Sequence, residues 1–217
     1  SVPILEIMET HISKPLEGDD VWLNMGTDTG YINKTSATSV RTRFAYECPF
    51  PSERASEDYH TWLRIAAFGA RYKYVSDIPT LYRIPSFMQY QASRTRLGPS
   101  NFNHIKARVD SDGFSRAIDI AIARNRIKPE EIPALKSKFY KRLAKSMERD
   151  QEYELTRKLL EKAKQFEDEI KEAFVAGFNL SNDSEYYEPS YSELKKISKT
   201  LISNLVTDFT RYETSKQ

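Results

Sequence analysis

Cysteine is almost missing from this chain of 217 residues: Cys48 stands alone, which excludes an internal disulfide framework and agrees with a reducing, cytoplasmic setting. Beside Pro49, Cys48 is expected to pack as a small apolar side chain and not to act as a nucleophile. Long hydrophobic runs are missing too. No segment approaches the roughly 20 apolar residues of a membrane span, and the stretch SVPILEIMETHI lacks the basic-then-apolar order of a signal peptide. A soluble protein without a transmembrane segment is the expectation. Only three histidines are present, two of them far from any cysteine or carboxylate cluster, which argues against a zinc site. Nor is there an excess of charge: 33 basic against 31 acidic residues leave a net +2, which argues against a protein devoted to nucleic acid. No internal repeat is found.

The informative part is Ser56 to Pro85, SEDYHTWLRIAAFGARYKYVSDIPTLYRIP. Trp62, Leu63, Ile65 and Ala66, with Phe68 and Ala70 behind them, recur at helical spacing and predict a short helix with one buried face. Ser56 is the expected N-cap, placing Glu57 and Asp58 in the first turn, where unpaired N–H groups and the helix dipole favour ionised carboxylates. Capping alone explains most such pairs; alternatively one carboxylate orients while the other takes a proton from a hydroxyl. Gly69 is expected to end the helix, Arg71 to Val75 alternates as a strand, and Asp77 to Pro79 forms a turn. Upstream, Thr35 to Thr42 (TSATSVRT) reads as a strand of short polar and β-branched residues. Val21 to Met25 reads as another strand, after a solvated turn at Asp19-Asp20.

The order Glu57-Asp58, Tyr59, Trp62-Leu63-Arg64, Gly69, Tyr72 and Tyr74, Pro79, Leu81-Tyr82-Arg83 resembles the C-terminal, acceptor-side half of a family 2 glycosyltransferase. The resemblance implies an α/β fold: a partial GT-A-like sheet with helices, followed by an α-helical C-terminal region. It implies transfer of a sugar from a nucleotide-diphosphate sugar to a hydroxyl acceptor, with inversion. Asp58 would be the general base and Glu57 would orient acceptor or base. Arg83, Tyr82, Trp62, Ser36 and Thr38 would contact substrate, Arg83 near the leaving diphosphate. A divalent metal, Mn or Mg, would serve as cofactor. Asp19 and Asp20, in GDDVWLN, are candidate ligands for it, although their short spacing to Glu57 and the lack of a preceding nucleotide-binding strand favour the solvated turn. The acceptor would be a glycan, lipid-linked sugar, protein or modified DNA. The nucleotide-binding portion and Asp-x-Asp motif expected by the resemblance do not fit into the fifty-five residues before Ser56, so a piece of a longer enzyme is expected.

Downstream, basic residues outnumber acidic ones from Arg94 to Arg126, with Phe102, His104 and Phe114 interleaved. This reads as a solvated helix face or as a patch for phosphate, anionic glycan or nucleic-acid backbone. Phe114 to Ile127 reads as a helix, Pro129 and Pro133 mark a break and a restart, and two rows of apolar residues follow. These are Leu135, Phe139, Leu143 and Met147, then Leu155, Leu159, Ala163, Phe166, Ile170 and Phe174. Asn179 to Ser190 reads as a linker and Ser192 to Phe209 as a last amphipathic helix. The expected division is an α/β part at 1–113, a helical region at 114–178, a linker at 179–190 and a C-terminal helix at 191–217. Two alternatives to catalysis are a truncated relative that binds sugar or nucleotide without turnover, and a helical interaction module.

Overall fold

A computed structural model describes residues 15–33, 35–76 and 97–181, the side chains of 176–181 excepted. The expected turn from Asp77 to Pro79, the linker at 179–190 beyond residue 181 and the helix from Ser192 to Phe209 lie outside the described residues. So do Tyr82 and Arg83. The chain divides into two compact units, residues 1–173 and 174–217; of the second, the described part, 174–181, continues the last helix.

Six α-helices build the described part: α1 Val21–Thr27, α2 Thr42–Glu47, α3 Glu57–Ala67, α4 Pro99–Ala123, α5 Ile132–Arg149 and α6 Tyr153–Ser181. Among the described residues no sheet forms; one antiparallel bridge, Gly18 with Tyr72, is the sole strand-like pairing. The expected α/β fold with a partial GT-A-like sheet is therefore corrected to a helical architecture. Each expected strand has its own reason for failing. VWLNM is a short apolar run, ambiguous between strand and helix. As helix α1 it buries Val21, Trp22 and Met25 together. Thr35–Ala37 is a 3₁₀ turn, and Thr42 already opens α2, burying Phe44. The alternating 71–75 segment finds one partner residue and, among the described residues, no neighbouring strand.

Helix α3 is the centre of the fold. Every residue from Tyr59 to Ala67 is buried, not one face alone, because α1, α2 and α4 all pack on it. Its closest companion is α4, where Gly113 permits the approach, and Gly26 of α1 likewise makes room for Phe114 of α4. A Cβ on Gly113 would lie 2.9 Å from His60 Cα, and one on Gly26 would lie 2.2 Å from the Phe114 ring. The α3 helix ends as expected at Gly69, whose φ of +111° suits glycine. Helix α4 starts at Pro99, well before the expected Phe114, and is continuous across 113 and 114. Pro129 opens a 3₁₀ turn and α5 follows, in line with the expected break.

The core joins α1, α3, α4 and α5. Phe114 and Phe139 stack with centroids 4.3 Å apart, and Trp22 leans on Phe114 at 6.2 Å. Leu135, Phe139, Leu143 and Met147 are all buried, as their four-residue spacing predicts. On α6, Leu155, Leu159 and Ala163 are buried, Phe166 stacks on Tyr140, and Ile170 is exposed. Cys48 is buried, and burial pushes its thiol pKa up from 9.0, as befits an inert packing residue.

Candidate functional site

The first turn of α3 puts the acid pair at the edge of the core. Glu57 and Asp58 are half-buried, between the buried Ala55 and Tyr59. The Asp58 carboxylate is thus neither sealed in the interior nor pointing freely into water. Its Oδ1 accepts the backbone N–H of Tyr59 at 2.7 Å. Its Oδ2 accepts the hydroxyl of Tyr31 at 2.8 Å and that of Thr35 at 3.3 Å. Tyr31 comes from the irregular segment after α1, and Thr35 from the 3₁₀ turn that follows. Burial, reinforced by the hydrogen bond to Asp58, raises the Tyr31 phenol far above its ordinary 10.0 and keeps it a donor.

Ser56 occupies the N-cap position but does not cap. Its backbone is left-handed, with φ of +61°, and its hydroxyl donates to Asp110 Oδ1 of α4 at 2.5 Å. Asp110 is fully buried and also pairs with Lys106, so the helix mouth is fastened to α4 through a buried carboxylate. The strained serine conformation has a reason here: it turns the chain so that the hydroxyl reaches across to the neighbouring helix.

Of the expected substrate-contacting residues, Ser36 lies exposed on the 3₁₀ turn next to Thr35. Thr38 is half-buried and accepts a hydrogen bond from Asn33 Nδ2 at 3.0 Å. Both therefore belong to the segment that meets Asp58. Trp62 does not: it is buried in the core with Phe50 edge-on against it at 5.6 Å.

Asp19 and Asp20 stand elsewhere. Arg126 donates to the carbonyls of Ala66 and Ala67 at the C-terminal end of α3 and to Asp20 Oδ1 at 2.9 Å. Asp19 pairs with Arg71 at 3.2 Å. The Asp20 carboxylate thus sits by the far end of a helix whose axis rises about 13 Å between Asp58 and Ala67. Both carboxylates are already met by guanidinium groups, and among the described residues no group of three or more metal-ligating side chains converges. Asp19 and Asp20 do not fit the divalent ion that the resemblance implies.

The basic stretch after residue 97 is largely neutralised within the fold. Arg108 makes a bidentate pair with Glu53, Arg116 meets Asp112, and Arg124 lies over the Phe68 ring. Phe114 is in the core, as the reading of a solvated helix face with core aromatics has it. No helix among the described residues is long and apolar enough to cross a membrane.

Sequence reasoning missed Tyr31, Asp110 and Arg126. Each acts across a separation that no local period encodes; the Tyr31 to Asp58 bond spans 27 residues. Comparison of the chain with protein-family models, curated proteins and solved structures finds no match.

Proposed function

We propose that this chain carries the acceptor-side catalytic part of a glycosyltransferase, with Asp58 as the general base. The observation that carries the reading is the placement of Asp58: a half-buried carboxylate at the mouth of α3, oriented by donors on both oxygens. It is supported by the ordered motif from Glu57 to Arg83. The reading concerns the chemistry of the acid motif, and the GT-A architecture does not enter it.

In such a transfer the acceptor hydroxyl gives its proton to Asp58 while its oxygen attacks the anomeric carbon of a nucleotide-diphosphate sugar, and the bond to the diphosphate breaks. A base within hydrogen-bond reach contributes about 10²- to 10⁴-fold to such a step. Glu57, adjacent on the same turn, would orient the acceptor. A divalent metal would supply positive charge to the departing diphosphate when bound, but Asp19 and Asp20, each met by an arginine, would not hold it. Arg83 remains the cation proposed for the diphosphate by resemblance.

Asp58→Asn in the complete polypeptide is the test. Transfer from UDP-, GDP- and dTDP-hexoses to oligosaccharide acceptors, with Mn²⁺ added, should fall by about 10²-fold or more while calorimetric donor binding persists. Retained turnover rejects the reading. The interaction-module alternative needs a continuous exposed apolar stripe; on α6 Leu155, Leu159 and Ala163 are buried, while Leu160, Ile170 and Val175 are exposed.

A further inference from the structure

We infer that Tyr31 is a positioning residue for Asp58, and that Thr35 Oγ1 marks the point where an acceptor hydroxyl enters. The inference rests on Asp58 being the base. An ionised carboxylate offers about four lone-pair sites. The protein fills three of them, one on Oδ1 by the Tyr59 N–H and both on Oδ2 by the Tyr31 and Thr35 hydroxyls, so an alcohol reaches Oδ2 by displacing one of the two.

The two hydroxyl donors on Oδ2 are unequal. Tyr31 is half-buried and its bond is the shorter at 2.8 Å; burial and the carboxylate hold its proton in place, opposed by Thr35, whose side chain and backbone also meet the phenol. Thr35 is exposed, sits on a turn of three residues and donates over 3.3 Å. An incoming alcohol presents the same chemistry as Thr35: an aliphatic O–H directed at Oδ2. Thr35 is therefore the donor that yields. Tyr31 stays, fixing the carboxylate plane so that the freed lone pair faces the alcohol.

The neighbourhood fits a polyhydroxylated acceptor. Ser36 beside Thr35, and Asn33 bonded to Thr38, line this segment with uncharged donors and acceptors. When the acceptor is bound, its O–H proton passes to Asp58 Oδ2, its oxygen bonds to the anomeric carbon of the nucleotide-diphosphate sugar, and the sugar–diphosphate bond breaks with its electron pair leaving on the diphosphate.

Steady-state kinetics of the complete polypeptide, using whichever of the UDP-, GDP- and dTDP-hexose donors supports transfer to an oligosaccharide, test this with three variants. Tyr31→Phe should lower kcat by about ten- to hundredfold, the scale of a misplaced reacting group, with donor KM unmoved. Thr35→Val should lower acceptor KM by about two- to tenfold, because the alcohol no longer competes for Oδ2. If Asp58→Asn is inactive while Tyr31→Phe keeps the wild-type kcat, the Tyr31 role is overturned and the base assignment stands. If Tyr31→Phe lowers the melting midpoint as well, Thr35→Val decides: an unchanged or raised acceptor KM overturns the entry point. If Asp58→Asn is fully active, it is the base assignment that fails.

Discussion

His60 of α3 and Asp112 of α4 face each other with Nε2 and Oδ2 2.8 Å apart, the imidazole almost wholly buried and the carboxylate half in solvent. The other ring nitrogen, Nδ1, is buried with no hydrogen-bond partner. A neutral ring that donates from Nε2 suits this setting, whereas an imidazolium would bury an unmet N–H.

Burial holds the His60 pKa below its ordinary 6.5, aided by Arg64 and Arg116 and opposed by Asp112, with Glu53 also facing the ring. The unfolded chain thus binds a proton that the folded chain resists. The stabilisation is complete above about pH 6.5 and is lost as pH falls through that value toward the folded pKa. Melting midpoints should therefore drop between about pH 7 and pH 5, and His60→Gln should flatten that part of the profile. An equal drop in the variant rejects His60 as its source.

Gly113→Ala tests the closeness of α3 and α4. Alanine gains about 1 kcal/mol of helix propensity, but its Cβ would stand 2.9 Å from the His60 backbone. Backbone cannot swing aside as a side chain can, so net destabilisation of about 1–3 kcal/mol is expected in urea unfolding. A stabilised variant would show that the helices part easily.

Asp110 is the buried link between Ser56 and Lys106. Asp110→Ala strands the Lys106 ammonium and releases the left-handed Ser56, and should cost about 3 kcal/mol or more. Ser56→Gly should cost less, because glycine relieves a positive φ worth about 1 kcal/mol while losing one charge-assisted hydrogen bond. Chemical denaturation of both variants checks the ranking. The reverse order would place the strain, not the carboxylate, at the centre of this junction.

Arg126 closes the C-terminal end of α3, donating to the carbonyls of Ala66 and Ala67 and to Asp20. Arg126→Lys is expected to be nearly as destabilising as Arg126→Ala, about 1–3 kcal/mol, because a single ammonium cannot span the four acceptors, the Asp19 carbonyl included, that a planar fork reaches at once. Thermal melts of the pair decide it; full rescue by lysine would reduce the arginine to a point charge.

Local patterns in the sequence were sufficient for α3, α5 and α6. Their apolar residues recur at helical spacing over enough turns to exclude a strand, and Gly69 and Pro129 mark ends that backbone geometry enforces. The same patterns place Glu57 and Asp58 in the first turn of α3. Short segments carried no such signal. Val21 to Met25 became a helix because packing against α3 and α5 outweighs the weak propensity of so few residues, whereas Thr35 to Ala37, which buries nothing, became a turn.

The sequence by itself thus determined where the acid pair sits and which helix carries it, since both follow from contacts within a few residues. Only the tertiary structure decided that Tyr31 and Thr35 orient Asp58, that Ser56 reaches Asp110, and that Asp19 and Asp20 are taken by arginines. Those pairings join residues far apart in the chain. Hydroxyls, carboxylates and guanidiniums can bond to many partners, and packing of the helices selects among them.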